Sequence, residues 1–148
     1  MNRVNKVGVS VACALGIGLV VATFALFHGY FDHGLFEIKQ TDWSSSGNVA
    51  ILAKRSDHQA LSSDVYFVVI GNHMFSATEL RNAYYGPHVI FAAASDCLRI
   101  RWNDPHNLTV SCHDGLLDTS RIENIQQHQS GDVAIVYVNI PDINRGKK

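Results

Sequence analysis

The chain has 148 residues, with twelve Lys and Arg against thirteen Asp and Glu and a formal net charge of −1. Acids and bases are interspersed, which excludes a basic stripe for nucleic acid and an acidic solvating tail. The length admits one packed domain plus a short additional segment, and a hydrophobic content of 47% is enough to fill its core.

Residues 1–6 carry Arg3 and Lys6 and no acid. Residues 7–27, VGVSVACALGIGLVVATFALF, carry no charge at all. At ~1.5 Å per residue a helix of that length crosses ~30 Å of hydrocarbon, so the run predicts a single transmembrane anchor in a lipid bilayer. The first Lys after it is Lys39. The positive-inside rule then places the N-terminus in the cytoplasm and the rest of the chain in the periplasm or outside the cell, held at the cell (inner) membrane. Tyr30 and Phe31 would meet the outer lipid–water boundary. Two competing readings also export the chain: signal cleavage near Thr23-Phe24-Ala25, and lipidation at Cys13. The run exceeds the apolar core of about 7–15 residues in a cleaved signal, and Ser10 is a weak residue three positions before Cys13, so the uncleaved anchor is preferred.

Residues 28–42 read as a juxtamembrane segment and a first strand, 43–141 as a β domain, and 142–148 as a flexible tail. Residues 28–148 hold ten bases and thirteen acids, a formal charge of −3. Val49, Ile51 and Ala53 alternate within a strand over Asn48–Arg55, preceded by the turn Ser44-Ser45-Ser46-Gly47-Asn48. Val65–Ile70, VYFVVI, is the unbroken run of a strand covered on both faces. Ser76–Ala83 predicts a short helix, with Ser76 and Glu79 at capping-box spacing. Val89–Ala94 is another strand. Leu98, Ile100 and Trp102 alternate with Arg99 and Arg101, which predicts an inward apolar face packed against Val133, Ile135 and Tyr137. Asn103–Asn107 turns the chain, with Pro105 in the loop, into a strand carrying Leu108, Val110 and Cys112. Asp132–Ile140, DVAIVYVNI, is the strongest strand, and Pro141 ends it. The fold class expected is mainly β: a small antiparallel sandwich or partial barrel with one short helix, after the N-terminal transmembrane helix.

Trp43-Ser44-Ser45-Ser46-Gly47-Asn48-Val49-Ala50-Ile51 resembles the opening of TolB-type propeller blades, W-S-P-D-G-x-x-I-A. The stretch is closer to an uncharacterised bacterial family of small membrane-anchored β domains, which open with S-P-D-G-K. Arg55-Ser56-Asp57 with Val65–Ile70, and Ile100-Arg101-Trp102-Asn103-Asp104 with Leu108-Thr109-Val110, are similar to that family's later elements. The resemblance spans residues 43–112. Ser45 and Ser46 stand where the family has Pro-Asp, and His58-Gln59 where it has Cys-Gly. It implies architecture and anchoring and brings no activity. A propeller is excluded, because ~120 residues supply too few four-stranded blades.

Eight histidines are present, at 28, 33, 58, 73, 88, 106, 113 and 128. They form no HxH or HExxH motif, and most neighbour turn residues, so no metal site and no cofactor is expected. Cys112-His113-Asp114 contains the residue types of a thiol triad, but successive strand residues point to opposite faces. Cys97 and Cys112 are the only cysteines after the run, and an oxidising compartment favours their disulfide. Two free thiols, or a nucleophilic Cys112, are the alternatives. Asp57, Asp64, Asp96, Asp104, Asp114 and Asp118 all lie at predicted turns, and Asn107-Leu108-Thr109 is a glycosylation sequon. The function expected is a non-enzymatic binding or scaffold role in the cell envelope, where a partner protein would fit. The alternative is a small extracytoplasmic hydrolase or metal-binding protein built from dispersed His and Asp.

Overall fold

The computed structural model describes residues 16–23, 34–57 and 64–144. The chain divides into two units, Met1–His33 and Gly34–Lys148. In the first, residues 16–23 are helical and exposed. Among the described residues no helix is long and apolar enough to cross a membrane. The rest of the uncharged run, Cys13, Tyr30 and Phe31, and the ends 1–6 and 145–148 lie outside the described residues.

The second unit runs β1 (Leu35–Trp43), β2 (Val49–Ser56), β3 (Val65–Gly71), α1 (Ala77–Tyr84), β4 (Val89–Ala93), β5 (Leu98–Asp104), β6 (Asn107–Cys112), a 3-10 turn (Thr119–Arg121), β7 (Ile122–Gln126), β8 (Gln129–Ser130) and β9 (Val133–Val138). A five-stranded sheet has the order β1-β2-β3-β4-β7, and a four-stranded sheet the order β5-β6-β9-β8. The fold is mainly β and sandwich-like.

Local chemistry sets the connections. Gly47 takes φ +88°, a left-handed conformation open to glycine. Its N–H donates to Ser44 O at 3.1 Å, closing the β1–β2 hairpin. Ser76 and Glu79 form the full capping box of α1: Glu79 N–H donates to Ser76 Oγ at 3.3 Å, and Ser76 N–H to Glu79 Oε2 at 2.8 Å.

The larger sheet is buried on both faces. One face contributes Ala50, Leu52, Val68 and Phe91 to the core shared with Leu98, Ile100, Trp102, Leu108, Val110, Val133 and Ile135 of the other sheet. The opposite face presents Val49, Ile51, Ala53, Phe67 and Val69 to Leu80 and Ala83 of α1. Tyr84 extends this second core, with its ring edge-on to Phe67 at 5.0 Å and to Phe36 at 5.9 Å. The alternation expected of β2 is therefore absent, since Val49 through Ala53 are all buried. A bulge in β4 turns both Ile90 and Phe91 into the shared core, where regular pleating would have separated them.

Further features differ from the sequence expectation. The smaller sheet is mixed, because β6 and β9 pair in parallel. Between them the chain leaves to add β7 to the larger sheet, so β9 returns along β6 in the same direction. β7 and β8 have no counterpart in the sequence pattern, and β1 continues through Trp43 as an integral strand of the domain. β9 stops at Val138, since Asn139 takes φ +59° and cannot extend it.

A seam joins the sheets along β1 and β5. The Gln40 side chain donates from Nε2 to Ile100 O at 2.6 Å and accepts from Ile100 N–H at 3.1 Å. Two residues on, Asp42 Oδ2 accepts from Trp102 N–H at 2.8 Å, and Asp42 O accepts from the indole Nε1–H at 3.0 Å. A bulge between Ile38 and Gln40 makes this possible by turning Gln40 and Asp42 to the β5 side.

Trp102 is 9% exposed in the shared core, whereas Arg101 points to solvent. Trp102→Ala should cost ~3–5 kcal/mol, and Arg101→Ala about 0.5 kcal/mol or less. Urea unfolding of the two variants checks the ranking, and the reverse order would refute this assignment of faces.

Candidate functional site

The bulge that forms the seam also opens a cleft of about 600 Å³ between β1 and the start of β5. Lys39 and Gln40 line one wall, Asp96 and Arg99 the other, and Leu52 with Tyr66 the floor. Both walls are fixed. Gln40 is held by its two bonds to Ile100. The turn before β5 is held by His113, whose backbone N–H donates to Cys97 O at 3.1 Å and whose Nδ1 lies 2.7 Å from the same oxygen.

The charges at the cleft are unevenly engaged. Lys39 Nζ pairs with Glu37 at 2.7 Å, and that bond holds the Glu37 carboxyl below its ordinary range. Arg99 uses Nη1 on the backbone, at 2.6 Å from Leu98 O and 3.2 Å from Asp96 O. Among the described residues no ion pair joins the Arg99 guanidinium to the Asp96 carboxylate. A volume of this size falls in the ~300–1,000 Å³ range of small-molecule sites, which are mostly preformed.

Cys97 and Cys112 are paired as a disulfide, with Cα atoms 4.8 Å apart and both residues buried. Cys97 sits in the turn before β5, outside the ladder, which lets its side chain reach the core-facing Cys112. Cys112, His113 and Asp114 do not come together as a triad. The Cys112 sulfur is taken up by Cys97, while His113 Nε2 lies 2.8 Å from Asp114 Oδ1.

The other described histidines pair singly with acids: His73 with Glu79 at 3.0 Å, His106 with Asp132 at 3.0 Å, and His128 with Asp142 at 3.5 Å. His88 lines a smaller groove beside α1. Among the described residues no three His, Cys, Asp or Glu side chains group to hold a metal ion. His28, His33 and His58 lie outside them. The aspartates serve locally. Asp57 pairs with Arg55 at 2.7 Å and Asp64 with Lys54 at 2.6 Å. Asp104 accepts from His106 N–H at 2.8 Å, and Asp118 caps the 3-10 turn through Ser120 N–H at 2.9 Å. Both carboxyls are held below their usual range chiefly by those backbone bonds.

The cleft residues Lys39, Gln40, Tyr66 and Arg99 were not marked as functional by any motif. One signal was present. In LFEIKQTDW the register puts Phe36 and Ile38, then Thr41 and Trp43, on one face, and this change of phase is what a bulge writes into a strand.

In comparison with known proteins, the chain matches no family model, no curated protein and no solved structure.

The disulfide joins residues with a sequence separation of 15. Replacing Cys97 and Cys112 together by Ser should lower stability by ~3 kcal/mol. Denaturant unfolding of the full chain under oxidising conditions measures it, and an unchanged midpoint would contradict it. The Glu79 carboxyl is pulled down to about 2, first by the Ser76 N–H, then by the Ser76 hydroxyl and His73. A lowered folded-state pKa stabilises above the ordinary carboxyl pKa of 4.5, and that contribution fades as pH falls toward about 2. The stability gap between the native chain and Glu79→Gln should therefore narrow from pH 5 to pH 2. Thermal melts across that range test it, and a constant gap would refute the cap's role.

Proposed function

We propose that the chain is a membrane-anchored, extracytoplasmic β-sandwich that binds a small ligand or a partner in the cell envelope without catalysing a reaction. The Cys97–Cys112 disulfide carries this reading. Disulfides persist in oxidising compartments and are rare in the cytosol. A domain that follows an uncharged run flanked on its N-terminal side by Arg3 and Lys6 reaches such a compartment by crossing the membrane, its N-terminus staying behind. The cleft beside β5 supplies a preformed place for binding. The likeness of residues 43–112 to small anchored β domains agrees with this arrangement.

Residues 7–27 are the proposed anchor, so the full chain should stay with membranes through alkaline carbonate and high salt. Lys at both Gly16 and Gly18 should weaken insertion by roughly 2.5–3.5 kcal/mol per charge near the helix centre. Fractionation followed by N-terminal sequencing decides the matter. Native protein in the soluble fraction with a new N-terminus near residue 26 would replace the anchor with a cleaved signal.

A further inference from the structure

Resting on the reading of the domain as a binding module, we propose that the cleft between β1 and β5 is a site for an α-amino acid with an apolar side chain, taken up as its zwitterion. The lining has both charge signs and an apolar floor, and each has a counterpart in that ligand.

Arg99 supplies the carboxylate receptor. Its Nη1 is tied to the Leu98 and Asp96 carbonyls, which orients the planar guanidinium and reduces the side-chain entropy lost on binding. The remaining donors of the guanidinium have no partner among the described residues. A guanidinium edge matches a carboxylate with two parallel N–H donors. Lys39, on the facing wall, adds positive charge but is partly neutralised by Glu37 at 2.7 Å. Lys39 thus tunes the field, while Arg99 makes the contact.

Asp96 supplies the ammonium receptor. It is exposed, and among the described residues its carboxylate accepts no hydrogen bond and forms no ion pair. It stands beside Arg99, whose Nη1 is 3.2 Å from the Asp96 carbonyl oxygen, yet the two side chains do not neutralise each other. Opposite charges that are neighbours and remain apart suit a ligand whose own opposite charges are neighbours, which is the layout of an α-amino acid. A simple anion would meet repulsion from Asp96, and a simple cation repulsion from Arg99 and Lys39.

The half-buried Tyr66, over the core residue Leu52, forms the floor on which an apolar side chain would lie. The walls do not have to assemble on binding. Gln40 is clamped to Ile100, and the Asp96–Cys97 turn is held by the disulfide and by His113. Such preorganisation removes part of the ordering cost of binding.

The test uses the full chain in lipid nanodiscs and titration calorimetry with three probes: L-phenylalanine, 3-phenylpropionate, which lacks the ammonium, and 2-phenylethylamine, which lacks the carboxylate. L-Phenylalanine should bind about ten-fold or more tightly than either analogue. Asp96→Asn should reduce L-phenylalanine to the level of 3-phenylpropionate, and Arg99→Gln to the level of 2-phenylethylamine. Arg101→Gln, on the exposed face of the same strand, should leave all three affinities unchanged. Absence of L-phenylalanine binding at millimolar concentration, equal binding of the three probes, or indifference to both cleft variants would overturn the proposal. The probe series on the native chain decides the question even if a variant fails to fold. Failure here would leave membrane retention untouched, so the amino-acid site and the anchored-domain reading fail separately.

Discussion

The backbone N–H and C=O groups along the edge of a strand must find partners, and β5 finds its own in side chains from the other sheet. The Gln40 amide meets both the N–H and the C=O of Ile100, as a paired strand would. Asp42 then takes the Trp102 N–H with its carboxylate and the indole N–H with its backbone carbonyl. Buried polar groups left unpaired cost roughly 1–3 kcal/mol each, so the seam removes several penalties together. It also engages the free edge of β5, which would otherwise be a template for association with other chains.

The remaining architecture follows from that closure. With β5 held against β1, the apolar side chains Leu98, Ile100 and Trp102 are fixed over Ala50 and Leu52, and the sandwich core is defined from that side. α1 covers the opposite face of the larger sheet, which explains why β2 and β3 are apolar on both sides. The bulge that turns Gln40 inward leaves Lys39 without a partner in the β2 ladder, at the mouth of the cleft. The sheet junction and the candidate site therefore share one local distortion.

Much of the core was legible from the chain alone. The run VYFVVI announced a strand buried on two faces, and LRIRW announced which side of β5 faces inward. The Ser76–Glu79 spacing announced a helix cap. What was not legible depends on groups far apart in sequence. Gln40 and Asp42 contact residues sixty positions away, and nothing local distinguishes them from solvated polar side chains. β7, IENIQ, carries too little alternation to read as a strand, because the adjacent Glu123 and Asn124 are both exposed at the sheet margin. Parallel pairing of β6 and β9 leaves the same period-two pattern as antiparallel pairing, so direction could not be read. The disulfide required Cys97 to leave strand phase, and the turn that allows this is fixed by long-range bonds to His113. The cleft combines residues from β1, β2, β3, β5 and the turn before it, and only the phase change inside LFEIKQTDW hinted at it.

Native-state hydrogen exchange of the Ile100 amide, compared between the native chain and Gln40→Leu, tests the seam most directly. If the Gln40 amide substitutes for a missing strand, the variant should lose most of the protection at Ile100, whose N–H it accepts, while Val68, deep in the larger sheet, keeps protection set by global unfolding. Equal protection of Ile100 in the two proteins would contradict the account, since it would mean that β5 is held in place without the side chains of β1.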